Sequence, residues 1–341
     1  MTRALVFILL YGLLIALPGE VARPRSAAIE MPASQKSDER VALKPGLLSP
    51  YLIEWFIDLN EDADLSAVWR LLKIEIPPET PVRCNGCVAE TFELETADES
   101  QRKTVALKIS FEASHYYQYL IFRKKDPDRN KDDWKFLGAV ESPLQQYGSP
   151  KHRIEIGDGR TWFVVRELWG RGSGMIAHGD VWYEIQEGKV ERVAAYPVEG
   201  HNIPCQGHPG RSYKTVLLRH DLDGGVYTIP VQFIVSYNIS DCDKGNNSPP
   251  LFSRSQKANF VWDSAQEKFI LDKSRSDVTE TEINTVYNNE GLTHEKFVEY
   301  NFDDLLEIAR GKDVKKKQWL KQFLMELKES RFKTALQQAL L

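Results

Sequence analysis

One short segment contains two histidines and a cysteine at intervals that suit a metal ion. His201, Cys205 and His208 have the spacing H-x3-C-x2-H, and the glycines and prolines among them predict an irregular loop. Imidazole and thiolate ligands at such intervals can hold zinc or copper, with His220 or Asp221 as a fourth ligand. A disulfide bond through Cys205 would remove that thiolate, and this competing use is favoured in an oxidising compartment.

The phrase RHDLDGG places His220 beside Asp221 and Asp223. A histidine next to carboxylates can act as a general base in hydrolysis. The candidate catalytic set is therefore His201, His208, His220 and Asp221. Neither a serine nor a cysteine lies in a recognised nucleophile motif, since the glycine-rich segment at 170–174 does not read G-x-S-x-G. A glycine-rich hairpin is the favoured interpretation of the phrase.

Aspartates that precede glycines offer a second metal hypothesis. The segments at 221–225 and 241–246 each supply two carboxylates, whereas calcium takes six to eight oxygen ligands. Turn formation is therefore favoured over calcium binding. We predict no resident cofactor, and the alternative is zinc or calcium held by His201, His208, Asp221 and Asp223.

The chain contains four cysteines, and they predict two disulfide bonds. Neighbours along the chain would pair Cys84 with Cys87 and Cys205 with Cys242, although three pairings are possible. Cys84-Asn85-Gly86-Cys87 also has the C-x-x-C spacing of redox and metal sites. A redox thiolate requires a helix N-terminus, whereas Asn-Gly favours a tight turn, so a small disulfide loop is the favoured interpretation.

The first residues predict export. Residues 4–17 are uncharged and apolar behind Arg3, and small residues follow Pro18. This apolar block is short for a membrane span and typical of a cleaved signal peptide, with cutting expected after Ala22 or Ala28. The predicted location is the periplasm or the extracellular medium.

Composition bounds the class of protein. Hydrophobic residues make up 42% of the 341 residues and aromatic residues 11%, which is typical of a globular chain. The formal charge of −5 argues against nucleic acid as a partner.

Periodicity divides the chain into segments. We expect a signal and processing region at 1–28, a linker at 29–46, a helical pair at 47–78, a β domain at 79–272 and a helical segment at 273–341. Ser49 and Asp64 are the expected caps of the first two helices, because apolar residues recur at helical spacing after each of them.

Short runs of β-branched and aromatic residues predict the β domain. The best candidate strands are 104–109, 116–122, 134–140, 153–156, 162–166, 181–185, 190–196, 215–218, 227–237, 258–262 and 269–271. Two of the predicted hairpins lead from Trp182 to Val190 and from Trp262 to Phe269, with polar tips. Because no helical pattern separates the strands, the fold class is mainly β, with antiparallel meanders in a sandwich, a barrel or a partial propeller.

Charge divides the C-terminal helical segment. Residues 276–311 hold nine acidic side chains against Lys296 and Arg310, whereas residues 312–341 hold eight basic side chains against three acidic ones. We expect one last long helix over 314–341. Its charges predict a solvated or internally paired face, and the alternative is peripheral membrane contact through residues 312–333.

Two stretches carry a resemblance to a known class. AETFELETADESQRKTVALKIS at 89–110 and LLRHDLDGGVYTIPVQFIVSY at 217–237 resemble degenerate FG-GAP or VCBS repeats, in which an aspartate-rich turn precedes a strand. The resemblance implies an extracellular propeller-like or meander domain for adhesion or ligand display. The class's D-x-D-x-D-G loop is absent from both stretches. The overall organisation also resembles that of uncharacterised exported bacterial proteins.

These observations favour an exported, non-enzymatic β-rich protein that binds another protein or a cell-envelope polymer through loops of its β domain. The alternative is an exported hydrolase or metalloenzyme that uses the His/Asp cluster at 201–223. An enzyme requires those side chains to meet in one cleft, whereas a binding module does not.

Overall fold

A computed structural model of the chain describes residues 48–60, 62–74, 82–97, 102–111, 116–126, 133–142, 151–157, 159–172, 174–186, 188–202, 209–218, 221–223, 226–239, 250–287 and 292–341. The predicted signal region and linker lie outside these residues.

Two short helices come first, as predicted: α1 (Pro50–Leu59) and α2 (Ser66–Leu72). The Ser49 hydroxyl accepts a hydrogen bond from the Leu52 backbone N–H at 3.1 Å, with Pro50 in the first turn. The Asp64 carboxylate accepts from the Ser66 N–H at 2.9 Å. A hydrogen bond from the Ser66 side chain, followed by this backbone bond, lowers the pKa of Asp64. The expected cap at Ser49 is confirmed. The expected cap at Asp64 is wrong by one residue, because Leu65 flanks α2 and makes no side-chain cap hydrogen bond.

The first sheet has four antiparallel strands in sequence order: β1 (Cys87–Leu94), β2 (Thr104–Phe111), β3 (Tyr116–Lys124) and β4 (Trp134–Ser142). One face of this sheet packs on α1 and α2. Ile53, Trp69, Leu107 and Phe122 are fully buried in the cluster between them. Burial of these large side chains holds the N-terminal helices on the sheet.

The second sheet has nine antiparallel strands. They are β5 (His152–Gly157), β6 (Arg160–Gly172), β7 (Met175–Gln186), β8 (Lys189–Asn202), β9 (Gly210–Leu217), β10 (Asp221–Asp223), β11 (Val226–Asn238), β12 (Pro250–Asp263) and β13 (Lys268–Leu271). The order is β13-β12-β11-β9-β8-β7-β6-β5, and β10 pairs with β11. All eleven predicted strands overlap observed strands, and both predicted hairpins are confirmed, β7–β8 and β12–β13.

The nine-stranded sheet curls, so that strands distant in its order meet through aromatic side chains. The Trp162 ring centroid on β6 lies 4.4 Å from that of Tyr227 on β11 and 5.6 Å from that of Phe269 on β13. The Tyr227 ring occupies the space that a Cβ on Gly157 would need, at 2.1 Å. Among the described strands β5 does not pair with β13, so these strands form no closed barrel. The closed barrel was one of the alternatives that the sequence allowed, and the structure corrects it to an open, curled sheet.

The two sheets pack on each other through a second apolar cluster. Tyr119 and Ile121 of β3 contact Phe163 and Val165 of β6, and all four side chains are fully buried. Gly138 on β4 sets the approach, because a Cβ there would lie 2.9 Å from the Val190 Cβ on β8. The β domain is thus two antiparallel sheets with a shared core.

The C-terminal segment is helical, as predicted: α3 (Glu280–Glu282) runs into a π-helical turn (Ile283–Tyr287), and α4 (His294–Tyr300), α5 (Phe302–Arg310), α6 (Val314–Met325) and α7 (Arg331–Ala339) follow. The helices cover one face of β11, where Tyr237 and Phe233 meet Phe297 and Tyr287 at ring distances of 5.0 and 4.7 Å.

The expectation of one long helix over 314–341 is wrong. The helix ends at Met325 and a new one starts at Arg331, because the Ser330 hydroxyl accepts from the Lys333 N–H at 3.2 Å. The Lys333 ammonium donates to the Leu327 carbonyl at 2.7 Å and so satisfies an oxygen that the break exposes. Among the helices that the structure describes, none has the length and apolarity of a membrane-spanning segment.

Candidate functional site

The candidate site is an open depression of about 610 Å³ on the nine-stranded sheet. It extends across β7, β8, β9 and β11, whose side chains supply two imidazoles, one carboxylate, one ammonium, serine hydroxyls and an amide. The lining residues are Ile176, His178, Glu199, Gly200, His201, Arg211, Ser212, Tyr213, Lys214, Ile234, Ser236 and Asn238.

Strand alternation explains how these residues come together. On β11, Phe233, Val235 and Tyr237 are buried, while Ile234 and Ser236 between them are only partly covered. The register aligns the lining residues in rows: His178 pairs with Glu199, Glu199 with Lys214 and Lys214 with Ile234. A second row runs through Ile176, His201, Ser212 and Ser236. The depression is therefore a polar surface built on regular strands.

His178 is half-buried at one side of the depression. Its Nδ1 atom has no hydrogen-bond partner among the described residues. Burial lowers the pKa of His178, and the nearby cations Arg166 and Lys151 lower it further, although the Glu199 carboxylate acts in the opposite direction. The imidazole is therefore neutral at neutral pH and can accept or donate a hydrogen bond.

A buried charge network borders the depression at Glu199. The Asp180 carboxylate, 3% exposed, accepts from Arg153 Nη1 and Arg166 Nε, each at 2.6 Å. We call these three residues the Asp180 clamp. Arg166 also reaches Glu199, with 3.4 Å between Nη1 and Oε1. The clamp thus fixes the carboxylate of the depression relative to the aromatic core.

Arg211 borders the depression, but its side chain lies on the opposite, buried face of β9 and is directed toward the helices. It is 4% exposed, and the one hydrogen bond recorded for its guanidinium is from Nη1 to the Thr285 carbonyl, at 3.4 Å. Its Nε atom has no partner among the described residues. Burial lowers the pKa of Arg211, and the residues that oppose this effect are the tyrosines Tyr237, Tyr213 and Tyr287.

Tyr213 is the second buried donor at this place. It is 4% exposed, and its hydroxyl has no hydrogen-bond partner among the described residues. A Cβ on Gly200 would lie 2.6 Å from that hydroxyl, so glycine is required on β8 for the tyrosine to fit. Burial raises the pKa of Tyr213 far above the ordinary range, and the hydroxyl keeps its proton.

Of the predicted catalytic residues, His201 lies in the depression, but its expected setting is wrong. It belongs to β8, which continues to Asn202, and not to an irregular loop. Cys205, His208 and His220 lie outside the described residues. His201 is thus the one predicted catalytic residue that the described part of the chain places in the depression.

The backbone register separates His201 from Asp221. His201 pairs with Ser212 and Ser212 with Ser236 on β11, whereas Asp221 pairs with Thr228 on the same strand. Eight residues along β11 correspond to roughly 27 Å. Asp223 pairs still further along, with Val226. The strands therefore do not bring His201 together with Asp221 or Asp223, and within the described part of the chain no three His, Cys, Asp or Glu residues form a metal-binding group.

The cysteine predictions are open. Cys84 and Cys87 are both free thiols in this structure, while Cys205 and Cys242 lie outside the described residues. A hydrogen bond with Cys87, followed by burial, raises the pKa of Cys84 well above its usual range. Gly86 has a φ of +70°, which fits the tight turn expected from Asn85-Gly86.

Sequence reasoning missed most of the lining. His178, Glu199, Arg211, Tyr213 and Lys214 belong to strand segments whose chemistry becomes visible only when the four strands are aligned. One signal was present in the sequence. Arg211 belongs to the buried face of β9, whose residues alternate with more exposed ones, and a charged residue is rare on a buried face.

The chain was compared with family models, curated proteins and solved structures, and none of them matches it.

Proposed function

We propose that the protein is a non-enzymatic binding protein and that its ligand, a cell-envelope polymer, occupies the depression across β7, β8, β9 and β11. The observation that carries this proposal is the depression itself, which gathers polar groups from four strands on a rigid sheet. Groups on regular strands keep their spacing without a ligand, so little conformational entropy is lost on binding. Export through the predicted signal peptide, which the proposal assumes, would bring the protein to such a polymer.

The chemistry of the depression supports binding over hydrolysis. The Ser236 hydroxyl shares a hydrogen bond with the Ser253 hydroxyl at 2.8 Å, so it is not poised toward an imidazole. Glu199 is engaged by Arg166. Within the described residues, no hydrogen bond joins a hydroxyl of the lining to His178 or His201, as a nucleophile and its base would require.

A sedimentation assay tests the proposal. Purified protein is mixed with insoluble peptidoglycan sacculi, and the bound fraction is measured after centrifugation, with cellulose as the control polymer. We expect saturable binding to sacculi that falls at least tenfold in the double variant His201→Ala/Lys214→Ala. Lys268→Ala, a change of an exposed lysine on β13, is the matched control and is expected to bind like the wild type.

The alternative function, hydrolysis or metal-dependent chemistry, has its own readouts in the same experiment. Release of soluble fragments from the sacculi would contradict the non-enzymatic proposal. A stoichiometric transition metal in the purified protein would contradict it as well. Equal binding by the wild type and the double variant would show that the depression is not the binding surface.

The sequence also allows peripheral membrane contact through the basic residues of 312–333, and this proposal is separate from polymer binding. Lys316 donates to the Leu251 carbonyl at 2.6 Å, and Lys333 is buried, so these two residues are engaged within the protein. Lys315, Lys321 and Lys328 are exposed. Sedimentation with vesicles of phosphatidylcholine alone and with added phosphatidylglycerol measures whether they bind anionic lipid.

A further inference from the structure

Cys84 and Cys87 lie next to each other but differ in exposure. Cys84 is 1% exposed and belongs to the apolar cluster between the first sheet and the helices α1 and α2. Cys87, the first residue of β1, is only partly buried at the edge of the same cluster. An exposed bend at Asn85 and Gly86 separates them. A reagent in solution can therefore approach Cys87, whereas the fold covers Cys84.

The two thiols are already placed to react with each other. Both are free in this structure, and a hydrogen bond joins them. Sulfur atoms at hydrogen-bond range need only a small displacement to form a disulfide. The same hydrogen bond, followed by burial, raises the pKa of Cys84 well above its usual range. Cys84 is therefore the poorer first nucleophile, because the thiolate is the reactive form.

The backbone just before the bend is tied to the link between α1 and α2. The Leu65 N–H donates to the Val82 carbonyl at 2.8 Å, and the Cys84 N–H donates to the Ala63 carbonyl at 2.9 Å. β1 begins at Cys87, on the other side of the bend. A bond between the two sulfur atoms would therefore restrain the bend that connects this backbone contact to the first sheet.

We propose that Cys84 and Cys87 form a thiol–disulfide exchange site with a fixed order, in which Cys87 reacts first with a disulfide from solution and Cys84 then resolves the product. In the first step, the Cys87 thiolate attacks one sulfur of the reagent, whose S–S bond breaks and releases one thiolate. In the second step, Cys84 loses its proton to water and attacks the Cys87 sulfur, and the second thiolate leaves. The protein gives up two electrons and two protons, and the reagent is reduced to two thiols.

The exchange site differs from that of a redox catalyst. Cys84 lies between the backbone contact and the bend, and Cys87 starts a strand, so neither thiolate is stabilised by a helix N-terminus. We therefore expect one exchange per chain, which leaves the disulfide that the C-x-x-C spacing predicts and a more rigid attachment of α1 and α2. The site is separate from the depression across β7, β8, β9 and β11, so exchange does not require polymer binding.

The experiment follows the reduced full chain during incubation with glutathione disulfide. Samples are quenched with N-ethylmaleimide at low pH and digested with trypsin. Cleavage after Arg83 and Arg102 yields a peptide, 84–102, that contains Cys84 and Cys87 and excludes the other two cysteines. Tandem mass spectrometry of this peptide gives the state of each thiol. We expect the wild type to form the internal disulfide, with glutathione on Cys87 alone at short times.

Two matched variants separate the roles of the thiols. Cys84→Ser removes the resolving thiol, and we expect it to retain one glutathione on Cys87. Cys87→Ser leaves the buried thiol, and we expect it to react at least tenfold more slowly than Cys84→Ser when folded and equally fast in urea. Equal rates in the two folded variants would overturn the proposal. A wild type that retains glutathione in place of the internal disulfide would overturn it as well.

Measurements on the wild type cover the case in which a variant does not fold. With less than one equivalent of iodoacetamide, Cys87 should be alkylated at least tenfold more often than Cys84. The amide hydrogen of Cys84 should exchange with solvent at least threefold more slowly in the oxidised protein than in the reduced one. Alkylation of both thiols to the same extent would overturn the proposed order, and unchanged hydrogen exchange would overturn the effect on the fold.

Discussion

The Asp180 clamp and Arg211 are two buried charged regions of one sheet, and they solve the problem of burial differently. In the clamp, Asp180 accepts two hydrogen bonds of 2.6 Å from two arginines. Arg211 has one long bond to a carbonyl and three tyrosine neighbours. Each residue of the clamp thus has an ion-pair partner within the protein, whereas Arg211 has none among the described residues.

The difference in pairing predicts opposite effects of mutation on stability. A paired charge that loses its partner destabilises the fold, because the remaining charge is left buried. An unpaired charge already has that cost in the folded protein, so its removal should have the opposite effect. The sign of the stability change on mutation therefore tells which buried charges are stabilised by a partner within the protein.

The largest effect is expected for Asp180→Asn. The change removes the buried carboxylate that Arg153 and Arg166 share and leaves them only their contacts with Glu155 and Glu199. We expect the free energy of unfolding to fall by about 3 kcal/mol. Urea denaturation followed by circular dichroism measures it. Glu191→Gln removes a carboxylate from an exposed pair with Lys189 and is expected to leave the midpoint unchanged. Equal effects of the two changes would contradict the role of the clamp.

Arg211→Met should act in the opposite direction. We expect the free energy of unfolding to rise, by at most about 4 kcal/mol, the upper end of the range found when apolar residues replace buried ion pairs. The same denaturation experiment provides the value. A loss of stability as large as that of Asp180→Asn would show that Arg211 is a structural cation like those of the clamp.

Tyr213→Phe sharpens the comparison with a smaller change. Its hydroxyl is buried without a partner among the described residues, so its removal should alter the free energy of unfolding by less than about 1 kcal/mol. Tyr119→Phe is the matched control, because the Tyr119 hydroxyl is also buried and unpartnered but lies in the core between the two sheets. A much larger loss of stability in Tyr213→Phe than in Tyr119→Phe would show that the Tyr213 hydroxyl has a structural role.

The smallest effect concerns pH and His178. Because its pKa is lowered in the folded protein, the unfolded chain takes up the proton more readily, and stability falls as the pH drops below the ordinary histidine pKa of about 6.5. Denaturation of the wild type and of His178→Gln at pH 7 and at pH 5 measures this contribution. We expect the variant to lose less stability between the two pH values, and an identical loss would refute the assignment.

Much of the fold was accessible from the sequence. Helix caps and strand runs depend on local chemistry, so the sequence predicts Ser49 as a cap and places the start of α2 near Asp64. The strands were placed but underestimated in length: β12 starts at Pro250, eight residues before the predicted run, because its polar stretch SRSQ does not resemble a buried strand. The break before Arg331 was missed since apolar spacing continues across it.

The site was less accessible, for a physical reason. His201 was identified because histidine next to cysteine and a second histidine is a recognisable local pattern. Its actual neighbours, His178, Ser212 and Ser236, are brought to it by strand register, which a single sequence does not specify. Arg211 shows the same limit, because its lack of a partner is a property of the assembled core.

Because the nine-stranded sheet curls, strands that are distant in its order meet through aromatic side chains. Trp162 on β6 meets Tyr227, Trp262 and Phe269 through ring contacts, and among the described residues no backbone hydrogen bond joins β5 or β6 to β11, β12 or β13. Rings can part more easily than a ladder of strand hydrogen bonds, so partial opening of the protein would begin here. The indoles of Trp162, Trp182 and Trp262 would then meet water first, and a red shift of their fluorescence would precede the loss of sheet.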